Sequence, residues 1–248
     1  MLIFAVFSLI VYFGMVTQAT LGFGSNVLIV TFAAHLLPIS EIVPLIVPIN
    51  IVISGYITWR YRHEINTRFL FRRMLPLMVL GLPLGFLIFV RGSDNSLKTA
   101  FGGLIVVLAA IELYRHRRGS EEAEPAAERL PGWLSAGCLF GAGVIHGLYT
   151  SGGPLSVYVT SREITEKGEF RATMTALWVT LNAMMTVLYL YKGYLNADNA
   201  WKAGLLLIPT VAGIASGIAL HDRLPKKTFR MLVYLLLLGS GASLLLAS

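Results

Sequence analysis

The chain has 248 residues and a net charge of +7, and its composition is 56% hydrophobic but only 13% charged. Soluble domains carry about 25% charged residues, so the composition excludes an ordinary soluble globular protein. The single cysteine, Cys138, excludes an internal disulfide framework and a cysteine-based metal cluster. The basic residues lie between apolar runs, a pattern typical of membrane topology and not of nucleic-acid binding.

Apolar runs recur along the whole chain, and a bilayer core of about 30 Å needs about 20 helical residues to cross it. The first run, 2–37, is interrupted by glycines, and a second interrupted run occupies 133–160. Three uninterrupted runs follow each of them: 41–59, 74–90 and 97–114, then 170–191, 201–220 and 228–247. We interpret the first run as retained and not as a cleaved signal peptide, because no Lys or Arg precedes it.

The second half of the sequence repeats the first. Gln18 matches His146 at an offset of 128 residues, and Asn50 matches Asn182 at an offset of 132. Two glycine pairs with the small-xxx-small spacing of closely packed membrane helices also correspond, namely Gly81 with Gly85 and Gly213 with Gly217, each preceded by a proline, Pro76 or Pro209. We therefore predict two membrane repeats, 1–118 and 132–248, joined by a polar cytoplasmic linker, 119–131.

Counts of Lys and Arg predict how the interrupted runs cross the membrane, because both residues concentrate in cytoplasmic loops. In a single-crossing scheme the loops on the two sides hold 11 and 9 basic residues. In a re-entrant scheme, where each interrupted run enters and leaves on the same side, the counts are 16 and 4. The predicted fold is therefore an all-α polytopic membrane protein of two inverted repeats, each an interrupted (re-entrant) helix pair plus three transmembrane helices.

The two breaks are the candidate binding site. Non-helical backbone at membrane depth survives only where protein buries it or where it lines a wet cavity. Each helix restart directs N–H groups and a partial positive charge toward the middle of the protein, which favours an anion. Ser25 or Asn26, and Thr150 or Ser151, are the expected N-caps, and Pro154 suits a first helical turn. The predicted substrate-binding residues are Gln18, Gly24, Ser25, Asn26, Asn50, His146, Tyr149, Thr150, Ser151, Gly152, Gly153 and Asn182.

His146 is the sharpest single candidate, because an ionisable group within a membrane segment points to function and histidine titrates near neutral pH. It could carry a coupled proton, donate to the anion, or be a neutral hydrogen-bonded residue. The glycine breaks could equally be helix-packing positions, and Asn50 and Asn182 could simply bond between helices. No metal or cofactor is predicted, because no carboxylate lies deep in an apolar run.

With these motifs the chain resembles the sulfite exporter TauE/SafE family of membrane permeases. The matching pieces are Gln18–Asn26, Gly143–Pro154 and Glu169–Thr173 leading toward Asn182, although many members have a longer glycine run at the first break. The resemblance implies a multi-pass carrier in the inner membrane for sulfite, organosulfonates such as sulfoacetate, or thiosulfate, with export the usual direction. The expected partners are this small anion and the lipid bilayer, without nucleic acid, and a homo-oligomer stays open.

Two other functions stay open at this point: an anion channel, and a carrier of a non-sulfur anion such as a carboxylate. An intramembrane hydrolase with Ser151 as nucleophile and His146 as base is disfavoured. Ser151 lacks a Gly-x-Ser-x-Gly setting, and no orienting carboxylate lies at depth. The sequence therefore favours a transporter over an enzyme.

Overall fold

The computed structural model describes residues 2–21, 24–117, 130–221 and 226–247. Helices make up nearly all of these residues, and no strand occurs among them. Within the described chain, 6 helices are long and apolar enough to cross a membrane. The prediction of an all-α polytopic membrane protein is confirmed. Most of the predicted linker, 119–131, lies outside the described residues, and the division of the sequence into repeats stays a prediction.

The helices follow the apolar runs. In chain order they are α1 (Leu2–Leu21), α2 (Ser25–Ala33), α3 (Ile39–Arg60), α4 (Thr67–Phe69), α5 (Leu75–Arg91), α6 (Asp94–Arg117), α7 (Gly132–Tyr149), α8 (Gly153–Glu163), α9 (Lys167–Tyr191), α10 (Ala197–Leu205), α11 (Leu207–His221) and α12 (Lys226–Ala247). The two interrupted runs are the pairs α1–α2 and α7–α8, so both breaks occur where glycines predicted them.

Two predicted helices are irregular near prolines. The run predicted at 201–220 is divided at Leu206, which lies three residues before Pro209. The segment Leu70–Met74, just before Pro76, is π-helical. A proline lacks the backbone donor, and its ring displaces the preceding turn. The corresponding prolines of the two sequence halves therefore both lie next to a distorted turn.

The described residues form two compact units, and each unit draws on both halves of the sequence. Unit 1 comprises 1–42, 92–124 and 204–248, and contains α1, α2, α6, α11 and α12. Unit 2 comprises 43–91 and 125–203, and contains most of α3, then α4, α5, α7, α8 and α9. Both predicted breaks therefore lie inside a unit, the first in unit 1 and the second in unit 2.

In unit 2, α5 and α7 pack together through the predicted glycines. A Cβ added at Gly81 would collide with the Phe140 carbonyl oxygen, and one at Gly85 with that of Val144. The contact advances by four residues on both helices, so the two helices are parallel. The small-xxx-small prediction is confirmed here, because only hydrogen side chains allow this approach.

In unit 1, α1 and α11 pack in the same way. A Cβ added at Gly213 would lie 2.5 Å from the Tyr12 carbonyl oxygen, and one at Gly217 would lie 2.6 Å from that of Val16. Tyr12 precedes Phe140, and Val16 precedes Val144, by the same 128 residues that separate the two breaks. Both units thus contain an equivalent helix pair, which supports the proposed repeat.

The direction of α12 relative to α6 bears on how the interrupted runs cross the membrane. A Cβ added at Gly102 would lie 3.2 Å from the Leu244 Cβ, and one at Gly241 would lie 3.1 Å from the Ile105 Cγ2. Residue numbers rise on one helix as they fall on the other, so the helices are antiparallel. The re-entrant scheme predicts this direction, whereas the single-crossing scheme makes the two helices parallel.

Contacts at the two ends of unit 2 agree with the same scheme. At one end the Asn66 backbone N–H donates to Thr173 Oγ1 at 2.9 Å, and the Asn66 Nδ2 donates to Glu169 Oε1 at 2.7 Å. At the other end the ring centroids of Phe89 and Tyr194 are 5.3 Å apart. The single-crossing scheme places each of these pairs of segments on opposite sides of the membrane, so the contacts favour re-entrant helix pairs.

Candidate functional site

The second break, in unit 2, is a tight turn between α7 and α8. The Thr150 backbone N–H donates to the His146 carbonyl oxygen at 2.7 Å, which closes the last turn of α7. Thr150 then adopts a left-handed conformation, with φ of 51°. A β-branched residue is rarely found there. A Cβ added at Gly152 would collide with the Ala142 carbonyl oxygen, so this position needs glycine for α8 to turn back along α7.

Neither restart has the side-chain cap that the sequence predicted. The N-cap of α8 is Gly152 and that of α2 is Gly24, and neither helix has a side-chain cap hydrogen bond. The Ser151 hydroxyl instead donates backward to the Tyr149 carbonyl oxygen at 2.9 Å. Glycine caps are compatible with the tight reversal of the chain, which leaves the neighbouring hydroxyls to bond elsewhere. The placement of Pro154 in the first turn of α8 is confirmed.

His146 is buried beside this restart and is unsatisfied. Its side chain is 1% exposed, and neither ring nitrogen has a hydrogen-bond partner among the described residues. Its ring stacks on the Trp178 ring, with centroids 5.4 Å apart and an interplanar angle of 17°. Its Cβ would lie 3.1 Å from a Cβ added at Gly152, so the imidazole begins next to the N-cap of α8. The ring is therefore held by packing and not by hydrogen bonds.

Asn182, on α9, faces His146. The Asn182 amide is close enough to act on the His146 ring, but it forms no hydrogen bond of good geometry with either nitrogen. Asn182 is 2% exposed, and its Oδ1 has no partner in the described part of the chain. Buried polar groups are usually satisfied. The two His146 ring nitrogens and the Asn182 Oδ1 are therefore the buried polar atoms beside this break that lack a partner among the described residues.

The first break, in unit 1, is closed by side chains. The Ser25 hydroxyl donates to Gln18 Oε1 across the break, and a Cβ added at Gly14 would be 3.0 Å from the Ile29 Cδ1. These contacts run in opposite directions along α1 and α2, so the two helices form an antiparallel pair. Gly24 has φ of 94°, a left-handed conformation that glycine adopts without strain. Gly22 and Phe23 lie outside the described residues.

Both restarts leave room in front of their backbone. A Cβ added at Gly24, the N-cap of α2, would meet no atom of the described residues within 4 Å, and the same holds for Gly153, the first residue of α8. A ligand can therefore approach the main chain closely at both positions. Backbone N–H groups at a helix N-terminus and the helix dipole together favour a negatively charged ligand.

Comparison with known proteins identifies the family. The sequence model of the sulfite exporter TauE/SafE family matches residues 6–244. The chain belongs to this family. It is also 24% identical over 173 residues to a probable inner membrane transporter protein, TsaS, of Comamonas testosteroni, which covers 69% of each chain. No solved structure matches the chain significantly. This TauE/SafE protein is a multi-pass transporter of the inner membrane and not an enzyme, as the sequence predicted.

Ser151 and His146, the residues of the hydrolase hypothesis in this TauE/SafE protein, take part in separate interactions. The hydrolase hypothesis requires a hydrogen bond between Ser151 and His146. The Ser151 hydroxyl donates to the Tyr149 carbonyl oxygen, and the His146 nitrogens have no partner. In the described part of the chain, no group of three His, Cys, Asp or Glu side chains is placed to hold a metal ion.

Most of the candidate residues lie in unit 2, but their hydrogen bonding differs. Asn50 is 6% exposed, and its Nδ2 donates to the Ile46 carbonyl oxygen at 3.0 Å, one turn back in its own helix. This bond accounts for one of its polar groups without a substrate. The role of Asn50 in binding stays a prediction, as do those of Asn26 and the other residues at the first break.

Trp178 is a site residue that sequence reasoning missed. It stacks on His146 from α9 and lies four residues before Asn182. Residues at i and i+4 share one face of a helix, so the spacing from Asn182 placed Trp178 on the same face. That signal was present in the sequence, but nothing in it paired this face of α9 with α7.

Unit 2 also has an apolar groove that does not include His146. This apolar groove of about 580 Å³ lies between α5 and α9 and is lined by residues that include Phe86, Val187 and Lys192. Lys192 is the one charged side chain among its lining residues. A groove of this composition suits hydrocarbon chains, whereas the unpaired polar atoms of unit 2 at the second break belong to His146 and Asn182.

Proposed function

We propose that this TauE/SafE protein is a secondary carrier of a small sulfur oxyanion: sulfite, an organosulfonate such as sulfoacetate, or thiosulfate. One observation carries the proposal. The His146 ring is buried and unsatisfied, and it lies beside the glycine-capped restart of α8. An unpaired buried polar group costs about 1–3 kcal/mol. A bound anion that accepts a hydrogen bond from this ring would remove that cost.

The second break can bind an oxyanion through neutral donors, so that no cationic side chain is needed. The first turn of a helix carries roughly half a positive charge and has backbone N–H groups without helical partners. Sulfite and sulfonate groups present three oxygens around one sulfur, and each oxygen can accept a hydrogen bond. Neutral donors hold such an ion less tightly than a buried Arg or Lys would. Weak binding lets the ion leave again, which transport requires.

The transport step follows the sequence prediction of alternating access around broken helices. Transporters with inverted repeats commonly expose such a site to each side in turn by moving one part against another. The equivalent glycine-capped restart of α2 in unit 1 supports a contribution from both breaks. His146 is the candidate for proton coupling, because it is an ionisable side chain buried at this break within a membrane segment.

Counterflow in liposomes tests the proposal. Purified protein would be reconstituted with unlabelled sulfoacetate inside, and uptake of labelled sulfoacetate would be measured. Sulfite, thiosulfate, sulfate, acetate and chloride would be added outside as competitors. We expect saturable counterflow that sulfite and sulfonates inhibit and that acetate does not. Inhibition by acetate would indicate a carboxylate carrier, and non-saturable flux without counterflow would indicate a channel.

A matched pair of histidine variants tests the site. His146→Ala removes the buried ring at the second break, and His35→Ala removes an exposed ring at the end of α2. We expect His146→Ala to weaken sulfoacetate binding at least tenfold, since one lost hydrogen bond to a charged group is worth about 1.5–3 kcal/mol. His35→Ala should transport like the wild type. Equal effects of the two variants would contradict the assignment of the site.

A further inference from the structure

One face of α9 continues from the His146 site toward the end of unit 2. Trp178 stacks on His146, Asn182 follows four residues later, and Tyr189 follows after seven more. These spacings keep all three residues on one side of an α-helix. A helix rises 1.5 Å per residue, so Tyr189 lies about 10 Å beyond Asn182 along the axis. The face therefore leads from the break to the end of α9.

Tyr189 is another buried polar residue of this face whose polar atom has no partner among the described residues. Its side chain is 0% exposed, and its hydroxyl has no hydrogen-bond partner among the described residues. A phenol buried only for packing could be a phenylalanine without losing any contact of the ring. The unpaired hydroxyl therefore needs an explanation of its own.

Aromatic rings surround Tyr189 at the end of unit 2. We call Phe86, Phe89, Tyr189 and Tyr194 the aromatic cluster. The Tyr189 ring centroid is 5.8 Å from that of Phe86, 5.5 Å from that of Phe89 and 6.2 Å from that of Tyr194, all edge to face. Phe86 also touches the last turns of α7, because a Cβ added at Gly147 would lie 2.8 Å from the Phe86 nitrogen. The cluster thus lies next to α7, the helix that carries His146.

We propose that the Tyr189 hydroxyl is a second station for the transported anion, between the α7–α8 break and the end of unit 2 at which the aromatic cluster lies. This inference rests on the proposed function. The phenol donates one hydrogen bond to an oxygen of the passing sulfonate or sulfite, and the rings of the cluster close behind it. A neutral donor lowers the barrier for the anion without trapping it. Tyr189 therefore contacts the anion in transit and is not part of the primary site.

Tyr189→Phe is the direct test, because it removes only the hydroxyl. Counterflow rate, equilibrium binding of sulfoacetate and thermal unfolding would be measured on the same protein. We expect the maximal counterflow rate to fall about tenfold, the cost of one lost hydrogen bond to a charged group. The Kd should change less than about twofold, and Tm should stay the same or rise, because an unpaired buried group has been removed. Tyr191→Phe, the same change at an 81% exposed ring, is the control and should change none of these.

The possible outcomes separate the two proposals. A wild-type protein that shows no counterflow with any of the anions overturns the proposed function itself. Wild-type counterflow together with an unchanged rate in Tyr189→Phe overturns the second station and leaves the carrier intact. A Kd that rises as much as the rate falls also overturns it, because Tyr189 would then belong to the primary site at His146.

Discussion

The two breaks share a glycine N-cap but differ in their side chains. Each restarts on a glycine N-cap, Gly24 or Gly152, and each belongs to a unit with an equivalent glycine-packed helix pair. At the first break Gln18 accepts a hydrogen bond from Ser25, whereas its counterpart His146 has no partner. At the first break two polar side chains thus satisfy each other, whereas the imidazole at the second break has no partner among the described residues.

The largest effect is expected from the helix pairs that hold the breaks in place. Gly85→Ala brings a methyl group into the Val144 carbonyl in unit 2, and we expect it to cost about 3 kcal/mol as α5 and α7 are forced apart. Gly217→Ala in unit 1 meets the Val16 carbonyl oxygen at 2.6 Å, a milder overlap, and the Ala19 Cβ at the same distance. It should cost about 1–2 kcal/mol. Thermal unfolding in detergent measures both.

Gly137→Ala is the control for these two variants. Gly137 lies on α7, where an added Cβ would meet nothing within 4 Å. Alanine has the better helix propensity by about 1 kcal/mol, so this variant should be neutral or slightly more stable. If Gly85→Ala lowered the stability no more than Gly137→Ala does, the result would contradict the close packing of α5 on α7.

Much of this scaffold could be predicted from the sequence. The run predicted at 41–59 is α3 (Ile39–Arg60), and both breaks occur at the predicted glycines. Apolar length and glycine spacing are local signals, which explains why they predicted the helices and the breaks. The pairing of α5 with α7, and of α1 with α11, was not predicted, because the glycine spacing identifies a contact face but not its partner.

The site was harder to predict than the scaffold, because its properties depend on distant residues. Ser25 was predicted as an N-cap from its residue type, but its hydroxyl donates a hydrogen bond to Gln18 on the preceding helix instead. The His146 ring could be judged satisfied or unsatisfied only when Trp178 and Asn182, more than 30 residues later, were placed against it. Sequence reasoning therefore found the residue but not its state.

Exchanging the polar residue of one break for that of the other sharpens the comparison. His146→Gln installs the residue type that stands at position 18, which can donate a hydrogen bond but cannot titrate near neutral pH. We expect this variant to keep saturable counterflow with a severalfold weaker Kd and to lose any stimulation by a pH gradient. His146→Ala should lose both the saturable counterflow and the stimulation by a pH gradient. Transport by either variant that still responds to the pH gradient would rule out His146 as the proton carrier.

The left-handed residue is a further difference between the breaks. Thr150 has φ of 51° and Gly24 has φ of 94°. A side chain in this region costs about 1–2 kcal/mol. We therefore expect Thr150→Gly to raise stability by about 1 kcal/mol, after the greater chain entropy of glycine offsets part of the gain. Gly24→Thr should lower stability by about 1–2 kcal/mol.

Transport measurements show whether the left-handed conformation of Thr150 has a role in function. If Thr150 positions the restart of α8 for the anion, Thr150→Gly gains stability and transports more slowly, a common trade-off at functional sites. Thr150→Gly with higher Tm and unchanged counterflow would mean that the threonine has no part in transport. Stability and counterflow measured on the same preparations decide between the two.

The smallest effect is expected at the surface ion pairs, one in each unit. In unit 2 the Arg73 Nη1 lies 2.8 Å from the Glu163 Oε1, which connects the end of α8 to the π-helical turn before α5. In unit 1 the Lys98 Nζ lies 3.0 Å from the Asp94 Oδ2 within α6. Exposed pairs of this kind contribute about 0.2–1 kcal/mol. Double-mutant cycles with glutamine and asparagine substitutions would measure each coupling energy.

The two pairs should nevertheless differ in what their single variants cost. Asp94 also accepts a hydrogen bond from the Ile39 backbone N–H at 2.8 Å, so Asp94→Ala should be more destabilising than Lys98→Gln, although their coupling is small. Arg73 is 45% exposed and Glu163 is 13% exposed, so salt should weaken this pair only in part. A coupling well above 1 kcal/mol for Arg73 with Glu163 would mean that this contact holds the second re-entrant pair in place. The short return helix of unit 2 would then depend on an ion pair at its end as well as on its glycine turn.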